Sequence, residues 1–212
     1  MLIETELYTH AERYVIDRAV IDEVALPVGD RYGDDVFTAY LSDYAGVAKK
    51  FKPKRIFEIG VRYGYTGICM VLGARANRGA PKPIYLGIDD ESYHAGSCDR
   101  ANQNFAKLCP GVEMRALKYN SITQGVPPGI GTFDMISIDG NHDYWPVLGD
   151  LYHCWPLLNP GGIIQLDDAA LGGQVRDAIE FFLSSFDGDG GEKVEFQWVP
   201  NIRTHCLIRK CD

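Results

Sequence analysis

The sequence has no Cys-x-x-Cys pair and no clustered His/Cys ligand spacing. Its six cysteines, Cys69, Cys98, Cys109, Cys154, Cys206 and Cys211, are scattered, which argues against a structural zinc site and for buried thiols in a reducing cytosol. A basic surplus is missing too. With 21 Lys+Arg against 29 Asp+Glu, the formal charge of −8 repels phosphate backbones and anionic lipid, so neither nucleic acid nor membrane is an expected partner. No run of about 18 apolar residues occurs, and the opening Met-Leu-Ile-Glu-Thr-Glu carries acid where a signal peptide needs base. The expectation is a cytoplasmic protein. Internal repeats and low-complexity tracts are also absent.

At 212 residues and 46% hydrophobic content the chain reads as one domain. A chain of this length buries roughly 70% of the surface its unfolded form exposes, so any metal serves function before folding. Residues 4–22 and 35–51 carry apolar positions at helical spacing (Leu7, Ala11, Tyr14, Val15; Val36, Tyr40, Tyr44, Val47), which predicts two N-terminal helices. The stretches Val28–Asp35 and Asp187–Gly191 read as irregular, the first as a mobile connection.

From Arg55 short apolar runs alternate with helical segments. The runs are Arg55–Gly60, Pro83–Asp89, Val112–Leu117, Phe133–Asp139 and Gly161–Asp167. The predicted helices span Thr66–Asn77, His94–Leu108, Asp143–Leu158 and Gly173–Ser185. Such βαβ alternation predicts an α/β fold with a mostly parallel sheet covered on both faces. Lys193–Val199 and Thr204–Lys210, joined at Pro200-Asn201, predict a closing antiparallel hairpin.

The first strand runs into Glu58-Ile-Gly60-Val-Arg62-Tyr-Gly64-Tyr65-Thr66, a loop in which glycines let backbone approach a ligand before a helix begins. Arg62 stands where a dinucleotide fingerprint needs its second glycine, and the Gly-Lys-Ser/Thr ending of a Walker loop is missing. A tight strand-to-helix turn without a ligand is the alternative. Asp89, at the end of the second strand, suits a ribose diol, or else helps cap the next helix.

Glu58-x-Gly60-x-x-x-Gly64 followed by Asp89, then Phe133-Asp-Met-Ile-Ser-Ile-Asp139-Gly-Asn-His142-x-Tyr144, then Leu158-x-Pro-Gly-Gly-x-x-x-x-Asp167-Asp168, resembles a class I S-adenosylmethionine-dependent methyltransferase. Within the class, the "Ile-Asp-Gly-x-His-x-Tyr" and "Pro-Gly-Gly…Asp-Asp" segments are similar to metal-dependent small-molecule O-methyltransferases of catechol type and of bacterial sugar and antibiotic pathways.

The resemblance implies a Rossmann-like, doubly wound, seven-stranded, mostly parallel sheet with a C-terminal antiparallel hairpin and extra N-terminal helices. One methyltransferase domain would fill 1–212, with a helical cap over 1–52 and a catalytic core over 53–212. S-adenosyl-L-methionine would lie on Glu58, Gly60, Gly64, Tyr65, Thr66, Asp89, Asn120, Ser121 and Asp139. Asp139, Asp167 and Asp168 would hold Mg²⁺ (or Mn²⁺/Ca²⁺), since hard oxygen donors select such ions. The alternative is that Asp167 and Asp168 merely cap the following helix and Asp139 turns a loop. His142, three residues past Asp139, would be the general base, or else a loop-orienting histidine. Tyr144 and Trp145 either wall the acceptor pocket or join the core. The implied partner is a small-molecule hydroxyl acceptor (diol, catechol or sugar), and a homodimer is allowed. Some relatives act as antibiotic-pathway hydroxylases, and aminocarboxypropyl transfer from the same cofactor is a further alternative, as is a non-catalytic cofactor-binding module.

Overall fold

A computed structural model describes residues 1–25, 35–77, 79–169, 173–187, 192–200 and 204–211. In chain order the elements are β1 (Leu2–Glu4), a 3-10 turn (His10–Glu12), α1 (Arg18–Ala25), α2 (Asp35–Phe51), β2 (Arg55–Ile59), α3 (Tyr65–Arg75), β3 (Ile84–Asp89), α4 (Ser97–Leu108) and β4 (Glu113–Lys118). They continue with α5 (Ser121–Gln124), β5 (Phe133–Ile138), α6 (Tyr144–Cys154), a 3-10 turn (Trp155–Leu157), β6 (Leu158–Leu166), α7 (Gly173–Ser184), β7 (Val194–Val199) and β8 (His205–Lys210). The expected connection at Val28–Asp35, up to its last residue, most of Asp187–Gly191 and the hairpin turn after Pro200 lie outside the described residues. Among the described residues no helix is long and apolar enough to cross a membrane.

One sheet runs in the order β1-β7-β8-β6-β5-β2-β3-β4. Strands β2 to β6 pair in parallel, while β8 lies antiparallel between β6 and β7. Both faces are covered, so successive residues of each inner strand enter opposite cores. Ile56, Met135, Ile163 and Leu207 pack with Tyr44, Met70 and Tyr85. Their neighbours Phe57, Ile136, Ile164 and Ile208 pack with Leu151, Ile179 and Phe182. The chain winds outward from β2 through β3 to β4, then returns to place β5 on the other side of β2. The strand order therefore reverses between β2 and β5, where the carboxyl ends of an open sheet leave a crevice.

The N-terminus departs from the sequence expectation. Strand β1 pairs in parallel with β7 and makes the sheet eight-stranded, one more than expected. Residues 5–17 form no α-helix; α1 starts only at Arg18. Tertiary contacts override helical spacing here. The Gln197 amide accepts from the backbone N–H of Leu7 and Tyr8, at 2.6 and 2.7 Å, and donates to the Tyr8 carbonyl at 2.8 Å. These bonds satisfy backbone groups that a helix would otherwise pair internally. Arg13 then forks onto buried Asp43 of α2, with Nε 2.7 Å and Nη2 2.9 Å from its two oxygens.

Candidate active site

The carboxyl ends of β2, β3 and β5 open onto a cleft of about 440 Å³, lined by Gly60, Asp89, Asp90, Ser121, Asp139 and His142 among others. A smaller cleft of about 50 Å³ adjoins it, sharing Gly60, Arg62 and Asp139 and adding Tyr40, Tyr65 and Thr66. Gly60 is the hinge between the two. Its φ is +91°, and a Cβ there would stand 1.9 Å from the Asp139 carbonyl oxygen, so only glycine lets β2 and β5 release their loops side by side.

Asp89 is organised by backbone donors. Its Oδ2 accepts from the N–H of Arg62 and its Oδ1 from that of Glu91, both at 2.7 Å. One carboxylate thus ties the end of β3 to the loop after β2, and each oxygen retains a lone pair for another donor. Arg62 takes a left-handed φ of 49° to make this contact, and its side chain borders both clefts. Asn120 accepts from the N–H of Thr123 at 2.9 Å, capping α5, and donates to Asp90 at 3.1 Å. Its neighbour Ser121 is the one that borders the cleft.

Glu58 and Gly64 lie behind the surface. The Glu58 side chain is fully buried and accepts hydroxyl hydrogens from Thr66 and Tyr85, bracing the start of α3 from below. Burial pushes its carboxyl up to about 8 in spite of those bonds. Gly64, at φ +89°, makes room for Phe105, whose ring would stand 2.4 Å from a Cβ.

The three expected metal ligands separate into two groups. Among the described residues, Asp139, His142 and Asp168 form the one grouping of His, Cys, Asp or Glu with donor atoms all within 4.8 Å of one another. His142 Nε2 lies 3.2 Å from Asp168 Oδ2 and 3.5 Å from Asp139 Oδ1. Burial, then the charges of Asp167 and Asp168, push Asp139 up to about 7, with His142 opposing them. The hydrogen bond with Asp139 in turn raises the His142 imidazole, against its own partial burial. Asp167 turns the other way. Its Oδ1 faces His205 Nδ1 at 3.2 Å and its Oδ2 accepts from the Tyr40 hydroxyl. Burial opposes its ionisation, but the imidazole and the hydroxyl outweigh it and hold the carboxyl below the usual range. The rings of Tyr40 and His205 stack at 5.2 Å, and Tyr44 closes the group edge-on at 4.9 Å.

Arg62, Tyr40 and His205 are residues of this site that carry no local motif. His205 opens β8, and only the placement of β8 beside β6 brings it to Asp167. Trp145 is 75% exposed and Tyr144 half-buried, so the first aromatic of α6 leans on the core and the second packs edge-on against it, outside the residues that line either cleft.

Residues 57–169, more than half of the chain, match the family model described as a methyltransferase domain. The chain belongs to this family. Among solved structures, the methyltransferase is similar to the S-adenosylhomocysteine-bound methyltransferase PaMTH1 of Podospora anserina, at 18% identity and a TM-score of 0.69, covering 96% of this chain and 92% of that one. It is also similar to the O-methyltransferase TomG of Streptomyces achromogenes, solved with S-adenosylmethionine, at 17% identity and a TM-score of 0.66 over 93% and 91% of the two chains. A third relative is an O-methyltransferase of Bacillus cereus in complex with S-adenosylhomocysteine, at 18% identity and a TM-score of 0.62 over 91% and 89%. No curated protein matches the sequence. The fold of the methyltransferase is thus that of S-adenosylmethionine-dependent O-methyltransferases, carried on a sequence far from theirs.

Proposed function

We propose that the methyltransferase moves the methyl group of S-adenosylmethionine to a hydroxyl oxygen of a small molecule. The observation that carries this reading is convergence. The glycine loop, Asp89, Asp139 and His142 all line one cleft at the point where the strand order reverses, with buried Asp168 in contact with His142 behind it. Asp89 keeps acceptor capacity for the ribose hydroxyls, Ser121 on the cleft wall would face the adenine, and Tyr65 and Thr66 on the narrow cleft would face the methionine arm. Glu58 supports this surface through Thr66.

The acceptor hydroxyl must lose its proton as the oxygen attacks the methyl carbon. With no ion in the site, the Asp139–His142 pair, in contact at 3.5 Å, would receive that proton; with an ion bound, the two are its ligands and the proton of the acidified hydroxyl passes to solvent. Two carboxylates and an imidazole so close together also fit a divalent cation. Asp139, His142 and Asp168 would hold it, whereas Asp167 is committed to Tyr40 and His205. When bound, such an ion supplies a Lewis acid that acidifies the acceptor hydroxyl. The rest is positioning, because holding methyl donor and acceptor in line removes much of the entropic barrier. Six free thiols, five of them buried, fit the cytoplasm as the place of action.

The test is product analysis with labelled S-adenosylmethionine against a panel of vicinal diols, catechols and nucleotide sugars. One S-adenosylhomocysteine per methylated acceptor supports the reading. Methylthioadenosine as the co-product would show aminocarboxypropyl transfer instead, and oxygen consumption would show a hydroxylase.

A further inference from the structure

The donor set at the cleft is not the all-oxygen set that the sequence suggests. We propose that His142 is itself a ligand, through Nε2, so that Asp139, His142 and Asp168 form a mixed nitrogen–oxygen site for a first-row divalent transition ion, Mn²⁺ to Zn²⁺, in preference to Mg²⁺ or Ca²⁺. The inference deepens the methyl-transfer reading and rests on it for what the ion does.

Three observations support the site. The first is geometric: with metal–ligand bonds of about 2.1 Å, adjacent donors of an octahedral ion stand about 3.0 Å apart. His142 Nε2 stands 3.2 Å from Asp168 Oδ2 and 3.5 Å from Asp139 Oδ1, and all three donor atoms lie within 4.8 Å of one another, so modest side-chain adjustment would bring them onto one ion. Secondly, both carboxylates point their oxygens at the same ring nitrogen, which becomes a ligand once an arriving ion displaces its proton. The third is the removal of the competitor. Asp167, which would complete an all-oxygen set, is held by Tyr40 and His205 in a pocket where all three residues are buried. Releasing it would uncouple a buried carboxylate from both partners, a costly change. The remaining triad has one borderline donor and two hard ones. Imidazole suits Zn²⁺, Fe²⁺ and their neighbours, while Mg²⁺ keeps to carboxylate, carbonyl and water.

The ring also has the freedom to serve. The His142 side chain is 47% exposed on the loop between β5 and α6, so it can turn toward an ion without repacking the core. Asp168, 2% exposed at its side chain, lies buried behind it.

The experiment uses the full chain with the metals alone. Calorimetric titration of Mn²⁺, Co²⁺, Zn²⁺ and Mg²⁺ into the parent, His142→Ala, His142→Gln and Asp168→Asn gives the affinities, and spin-echo spectroscopy of bound Mn²⁺ reports a coordinated nitrogen. The parent should bind Mn²⁺ or Co²⁺ at least about tenfold more tightly than Mg²⁺ and show nitrogen modulation. Both His142 variants should lose that modulation and about 10- to 100-fold in transition-ion affinity, with unchanged circular dichroism. Asp168→Asn should weaken every ion. Equal Mg²⁺ and Mn²⁺ affinity, or nitrogen modulation that survives in the His142 variants, overturns the inference, as does parent protein that binds no ion. S-adenosylhomocysteine titrated into the same samples keeps the two readings apart. Cofactor binding without ion binding sinks the ligand assignment alone, whereas a His142-dependent ion without cofactor binding or methylated product sinks the methyl-transfer reading alone.

Discussion

Glu58 provides a test of how burial acts in this fold, through the variant Glu58→Gln. The side chain is fully buried, and desolvation pushes its carboxyl from 4.5 to about 8. In the unfolded chain the same group titrates near 4.5, so between these values the folded protein holds a proton that the unfolded chain has released. Stability must therefore fall as pH rises through this window, by up to about 1.4 kcal/mol per pH unit and roughly 5 kcal/mol in all as an upper bound. Glutamine keeps the shape, stays neutral, and still offers an oxygen and an amide to Thr66 and Tyr85. At pH 5 the variant should match the parent within about 1 kcal/mol, because both carry an uncharged side chain. At pH 8.5 it should be the more stable by several kcal/mol. Urea unfolding followed by far-ultraviolet circular dichroism at pH 5, 6.5 and 8.5 gives the comparison. The difference between the two proteins is the quantity to read, since Asp139 and Asp150, pushed up to about 7 and about 6 chiefly by burial, slope the parent profile in the same sense. Parallel profiles with a constant offset would refute the argument and show that the Thr66 and Tyr85 bonds keep Glu58 ionised.

Gly60→Ala should abolish S-adenosylhomocysteine binding by calorimetry, because the new methyl group meets the Asp139 carbonyl at 1.9 Å, while Gly79→Ala, with φ +78° and nothing within 4 Å, should cost only about 1–2 kcal/mol and bind normally. Phe182→Ala, which empties a fully buried position under α7, should lower stability by about 3–5 kcal/mol in urea without changing cofactor affinity. Asp43→Asn should cost about 3 kcal/mol by leaving the Arg13 guanidinium without its charged partner, read as a lower melting temperature. In the parent, Arg13 and the other hydrogen bonds to Asp43 outweigh burial and hold its carboxyl below 3.8, so this stabilisation is present above that value and is lost as pH falls through the folded value. Acid unfolding monitored by tryptophan fluorescence should accordingly start at higher pH in the variant.

Much of the scaffold was legible because its signals are local. An inner strand of a two-sided parallel sheet is largely apolar, and Arg55–Gly60, Pro83–Asp89 and Phe133–Asp139 read as strands for that reason, each within one residue of the observed bounds. Gly60, Asp89 and Asp139 were legible as a group because each ends or follows a strand, and parallel strands deliver their carboxyl ends to one edge. The same kind of reading failed at residues 5–17, where helical spacing was present but Gln197 and Asp43, distant in sequence, took the backbone and side-chain bonds. It also failed to separate Asp167 from Asp168. In sequence the two are adjacent and chemically identical, and nothing local says which way either turns. That was decided by the tertiary structure: β8 lies beside β6 and α2 packs with them, so His205 and Tyr40 arrive at Asp167 while Asp168 faces His142. Buried carboxylates go where partners offset their desolvation, and those partners come from chain segments that only the fold brings together.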